Sequence, residues 1–167
     1  MNKTLASSGV VALVAVSGLV LAAPASAEER TCRGSIGAAT MDNLRVPQGA
    51  TCTLDGTGIK GTLKVERGAR LFAEDIRVVG NVQAENHRRV NVRSSRVGGS
   101  IQLVQGANAL LRGNRVGQDV QSFENDGRQR FANNTINGNL QCKENVPAPT
   151  GGNNTVGGNK EDQCARL

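Results

Sequence analysis

Tryptophan and tyrosine are absent from this 167-residue chain, and phenylalanine occurs three times. Neutral-sugar sites and single-strand nucleic-acid grooves usually stack their ligands on aromatic rings, so conventional versions of both are excluded. One histidine and four cysteines without any Cys-x-x-Cys spacing are a poor ligand supply for zinc. Uninterrupted helical stretches are also missing. Segments such as GGSIQLVQGANALLRGN (98–114) break with glycine too often for a repeat needing ten or more helical residues. The one long apolar run, VVALVAVSGLVLAA (10–23), falls short of the roughly 20 residues a membrane-spanning helix requires.

That run follows Lys3 and precedes Ala-Ser-Ala at 25–27: a positive charge, a short apolar core and small residues at a cleavage position. The pattern predicts a secretory signal peptide over residues 1–27 and a single mature domain over 28–167. The formal net charge of +6 becomes +5 when Lys3 is removed. All four cysteines lie in the mature part, and an even count in an exported chain favours disulfides. The expected location is extracellular or associated with the cell envelope.

A six-residue motif recurs: GIKGTL (58–63), RVVGNV (77–82), RVGGSI (96–101), RVGQDV (115–120), TINGNL (135–140) and TVGGNK (155–160). Its first apolar residue falls at Ile59, Val78, Val97, Val116, Ile136 and Val156, in steps of 19, 19, 19, 20 and 20. Four residues on stand Leu63, Val82, Ile101, Val120 and Leu140, with Lys160 in the last copy. A further column runs Val65, Ala84, Leu103, Ser122, Cys142. Upstream, Cys52, Leu71, Val90, Ala109, Gln129 and Leu54, Ala73, Val92, Leu111, Phe131 form two more. Apolar residues two apart, with polar or mixed residues between them, mark strands with one inward face. A fixed period near 20 marks a solenoid. The fold expected is all-β: a single-domain parallel β-helix of about six coils of 19–20 residues.

Asn114, Asn134 and Asn154, with their neighbours Asn133 and Asn153, fit left-handed turn positions repeated from coil to coil. Gln83, Gln102, Gln121 and Gln141 form an outward ladder. Cys32 and Cys52 are 20 residues apart, and Cys142 and Cys164 are 22 apart, which places each pair on adjacent coils within disulfide reach. The expected bridges, Cys32–Cys52 and Cys142–Cys164, clamp the two ends.

These columns, and the tail CKENVPAPTGGNNTVGGNKEDQC (142–164), resemble a family of small, uncharacterised, exported bacterial β-helix proteins. The resemblance covers residues 32–167 and implies a right-handed coil; it brings no activity with it. More distantly the repeat resembles bactofilins, which polymerise through such solenoids but lack export signals and terminal disulfides. Pectin-degrading β-helix enzymes share only the architecture, which does not transfer function.

For chemistry, Asp55, Glu74 and Asp75 form the best carboxylate group, on neighbouring coils near one turn; pairing with Arg77 and Arg93 accounts for them. His87, before two arginines in a polar segment, reads as a solvated surface residue without a nucleophile. The basic residues are more distinctive. Arg77, Arg96 and Arg115 form one outward column, and Arg93 and Arg112 another three residues earlier. Stacked like charges repel unless an anion lies between them, and guanidinium suits carboxylate and phosphate. The expectation is a secreted, non-catalytic structural or envelope-associated solenoid without catalytic residues, metal or cofactor. Its ligand would be an acidic cell-envelope polymer or polysaccharide held on Arg77, Arg93, Arg96, Arg112 and Arg115. The alternative is a small lyase or hydrolase acting on polysaccharide. Nucleic acid is disfavoured because the strip has no aromatic neighbours. Lys160, Glu161 and Asp162 blunt the last edge against end-to-end growth, so a monomer is expected.

Overall fold

A computed structural model describes residues 28–167; the expected signal peptide lies outside these residues. Three parallel sheets run the length of the solenoid, with eight, seven and seven strands. Each coil contributes one short strand to each sheet. In one complete coil, Arg70–Glu74 belongs to sheet B, Arg77–Val78 to sheet C and Val82–Glu85 to sheet A, before Arg89–Arg93 re-enters sheet B one rung higher. No strand pairs with its neighbour in sequence. Each pairs with strands about one period away, as in Val82–Glu85 against Ile101–Val104.

The inward columns are those of the repeat. In sheet C, Ile59, Val78, Val97, Val116, Ile136 and Val156 stand in register. In sheet A, Leu44, Leu63, Val82, Ile101, Val120 and Leu140 are at most 1% exposed, and both sheet B columns are buried from Cys52 to Gln129 and from Leu54 to Phe131. Burial of aliphatic side chains is the main favourable term. Because each strand hydrogen-bonds only to the coils above and below it, stability accumulates by stacking.

There are about seven turns rather than six. The additional one is the first, with strands Gly34–Ile36 in sheet B and Thr40–Met41 in sheet C, leading into Asn43–Val46 of sheet A. Met41 pairs in register with Ile59 and Leu44 with Leu63. Only three residues separate Met41 from Leu44 where the later copies have four, so an ungapped motif passes over this coil.

The corners differ from expectation in an informative way. The left-handed positions between sheets B and C are Gly56, Asp75, Ser94, Gly113, Asn133 and Asn153, all at φ between 50° and 68°. Asn133 and Asn153 therefore take the turn conformation anticipated for them, whereas Asn114, Asn134 and Asn154 do not. These three are buried one residue later, where their amides stack. Asn134 Nδ2 donates to Leu111 O and to Asn154 Oδ1, both at 2.9 Å, while its Oδ1 accepts from Asn114 N and Nδ2, both at 3.0 Å. Short amide side chains supply at this corner the hydrogen bonds that the turning backbone cannot make to itself. Asn125 and Asn145 repeat the device between sheets A and B. Between sheets C and A, Asn43, Asn81, Asp119 and Asn139 each cap a backbone N–H of the next coil.

Both ends are bridged. Cys32 bonds to Cys52 and Cys142 to Cys164, with Cα separations of 5.6 and 5.3 Å. The bridges run diagonally: Cys52 is in register with Gly34, two residues past Cys32, and Cys142 with Asp162, two residues before Cys164. Closing loops of this length contributes about 3 kcal/mol each in the chain-entropy view. Two such bonds belong to an oxidising compartment and are consistent with an extracellular protein.

Candidate functional site

Sheet C is the narrowest face, two residues per strand, and its outward column begins on each coil where the corner ends. Strict alternation puts Val78, Val97 and Val116 inside and Arg77, Arg96 and Arg115 outside, all three exposed. The arginines pair in register, Arg77 beside Arg96 and Arg96 beside Arg115, so they repeat at the parallel-strand spacing of about 4.8 Å. Unit charges at this separation repel by roughly 1 kcal/mol per pair even in water, and the spacing lies inside the Debye length at physiological salt. Among the described residues none of the three is in an ion pair.

Arg93 and Arg112 stand in register with each other on the last outward positions of sheet B, across the left-handed corner. Arg93 Nη2 lies 2.9 Å from Glu74 Oε2, so that guanidinium is already neutralised. The fold thus divides the five arginines: three unpaired on sheet C, two around the corner with one paired. Of the carboxylates, Asp55 and Glu74 are register neighbours and Asp75 occupies the left-handed turn beside them. Glu74 takes Arg93; among the described residues Arg77, the other partner anticipated, pairs with none of the three. Among the described residues no three metal-binding side chains cluster.

Behind the arginine column runs a shallow concavity of about 410 Å³, bordered also by Val79, Gly98, Gly117, Thr135 and Asn137. No carboxylate lines it. Its floor is bare backbone because the coils nearly touch there: a Cβ on Gly98 would strike the Val79 carbonyl, and one on Gly117 the Gly98 carbonyl. Arg-Val-Gly at 96–98 and again at 115–117 carried this information, with arginine as wall and glycine as floor. The motif was legible as turn chemistry and not as a groove. A larger depression of about 570 Å³ on sheet A mixes Lys64 and Arg67 with Glu66 and Glu85 around Gln83 and Gln102. Its charges oppose one another, and its glutamines bond along the column: Gln83 Nε2 donates to Gln102 Oε1 at 3.2 Å, Gln102 to Gln121 at 3.0 Å and Gln121 to Gln141 at 3.0 Å.

His87 is not a surface residue. It is 2% exposed, in the corner column that contains Ala69 below and Gly106 above, and its ring occupies the space that a side chain on Gly106 would need. Among the described residues neither ring nitrogen has a hydrogen-bond partner. Burial, the main cause, lowers its pKa to about 4, against smaller opposing influences of the Ala84 backbone and the Asp126 carboxylate. The flanking arginines gave a polar look to a position that the coil register turns inward.

No protein-family model, curated protein or solved structure matches the chain. The resemblance to exported bacterial β-helix proteins and to bactofilins therefore gains no support from sequence comparison, and the function must be read from the surface itself.

Proposed function

We propose that this is an exported, non-catalytic β-solenoid of the cell envelope or its surroundings that binds an acidic polymer through the exposed arginine column of sheet C. The observation that carries this reading is the register of Arg77, Arg96 and Arg115: three guanidiniums held at rung spacing without a carboxylate among them. A rigid sheet fixes the charges in advance, so an anionic chain laid across them removes repulsion and gains charge-assisted hydrogen bonds with little ordering cost. Arg112 extends the basic surface around the corner, while Arg93 is committed to Glu74. The working form is a monomer, because Lys160 and Asp162 replace apolar residues on the last rung of sheet A. A chain segment and Leu167 then fold back toward the core.

Replacing Arg96 and Arg115 together by alanine should release the protein from immobilised acidic polysaccharide and from envelope material at a markedly lower salt concentration. Unchanged retention would remove the reading. Light scattering that shows length-heterogeneous fibres would overturn the monomer.

A further inference from the structure

The concavity behind the arginines has a direction and a chemical gradient. Its axis is the solenoid axis, since the arginine wall climbs one residue per rung. At the lower end stands Val79, 57% exposed. Past Arg115 the same column continues, in register, as Thr135 and then Thr155. The neighbouring floor column passes from Gly98 and Gly117 to Asn137. One groove therefore offers, in order, a cation beside an apolar side chain, two cations above bare peptide, and a hydroxyl beside an amide.

We infer that the ligand is a carboxylated polysaccharide lying parallel to the solenoid axis, its acid groups on Arg77, Arg96 and Arg115 and its hydroxyls on Thr135 and Asn137. This rests on the reading of the column as a polyanion site. Three features separate a sugar chain from other polyanions. The cations repeat at about 4.8 Å, comparable with one sugar residue, whereas duplex DNA carries a charge every ~1.7 Å of its axis, or every ~3.4 Å on each of its strands. No aromatic residue lines the groove, so unpaired bases have nothing to stack on. Thr135 and Asn137 are exposed donors and acceptors at the end of the wall; a polymer that carries hydroxyls uses both capacities, whereas polyphosphate offers acceptors alone. The glycine floor accounts for the orientation, because a chain lying along a single rung would meet side chains on both flanking sheets. Arg93 and Arg112, on sheet B, lie outside this path.

Size-graded oligogalacturonates, inorganic polyphosphate and an oligothymidylate of matched charge, titrated calorimetrically into the oxidised protein, test the inference. Oligogalacturonate binding should tighten with each added sugar until the chain spans Arg77 to Thr135, roughly 14 Å, and then level off. The exposed pair Thr135→Val with Asn137→Ala should weaken oligogalacturonate several-fold and polyphosphate by clearly less. Arg77, Arg96 and Arg115 changed together to glutamine should weaken all three probes. If polyphosphate or oligothymidylate binds as tightly as oligogalacturonate and the Thr135/Asn137 variant behaves as the parent, the polysaccharide inference fails while the polyanion site survives. If the triple arginine variant binds every probe like the parent, the site itself is refuted and the inference with it.

Discussion

Sheets A and C each carry an outward column of like side chains stacked rung upon rung, and the two columns solve the same problem oppositely. A glutamine amide has both donor and acceptor, so the column from Gln83 to Gln141 closes upon itself and ends by donating to Glu161 Oε2 at 2.8 Å. A guanidinium has donors alone. However regularly Arg77, Arg96 and Arg115 stack, no member can satisfy the next. Stacking therefore makes one face chemically closed and the other open to an acceptor from outside. The interior holds the same contrast. The corner amides of Asn114, Asn134 and Asn154 complete one another, while His87, in the column below Asn125 and Asn145, finds no partner.

Breaking a closed column inside the protein should have the largest effect. Asn134→Ala removes the acceptor of Asn114 and the donor to Leu111 O and Asn154 Oδ1, leaving several buried groups unpaired. A loss of roughly 3–5 kcal/mol is expected, read as a fall in the urea midpoint with an unchanged slope. Asn134→Asp would retain only the acceptor half and should recover part of it.

The open interior position should appear as acid sensitivity. His87 has a folded pKa of about 4 against 6.5 for the free side chain, so the unfolded chain takes up the proton first. Its contribution is constant above pH 6.5, is withdrawn as the pH falls from 6.5 to 4, and amounts to about 3 kcal/mol of lost stability below that. Thermal melts across this range should show the decline, and His87→Leu should flatten it. An unchanged pH profile in that variant would assign the acid sensitivity elsewhere.

The open column can be converted into a closed one. Arg77, Arg96 and Arg115 changed together to glutamine should cost on the order of 100-fold in affinity for acidic polysaccharide, an effect of about 3 kcal/mol at ~1 kcal/mol per contact. The same substitution should raise the melting temperature slightly, because a self-satisfied ladder replaces mutual repulsion. The smallest effect belongs to the closed outer column. Gln102→Ala interrupts it at a half-exposed position where water replaces the lost bonds, and denaturation should report no more than about 1 kcal/mol.

The sequence was most legible where one residue decides one thing. Aliphatic residues at Ile59, Val78, Val97 and Val116 recur with a fixed step, and only an inward row gives that recurrence a physical purpose. The half-cystine spacings of 20 and 22 placed each pair one coil apart, although the diagonal offset of two residues depends on how the terminal coils settle. The first coil escaped notice because a single missing residue between Met41 and Leu44 shifts its motif. His87 and the asparagines were misplaced for a common reason. At a corner, polar identity says nothing about direction: the same asparagine can turn the backbone, as Asn133 does, or fill the interior, as Asn134 does one residue later. The arginine column was visible in the repeat, but its division was not. Arg93 and Arg96 are three residues apart, and whether they share a surface depends on the angle the chain takes at Ser94.

By itself the sequence determined the repeat length, the inward rows and the all-β character, since each follows from periodicity acting through a strand's two-residue alternation; it favoured the cysteine pairs, which the structure then formed. Only the tertiary structure decided which polar residues are buried, which arginine is neutralised and where the bare groove runs. Those depend on contacts between coils some twenty residues apart, and on corners whose direction is fixed by neighbours above and below rather than by the residues beside them in the chain.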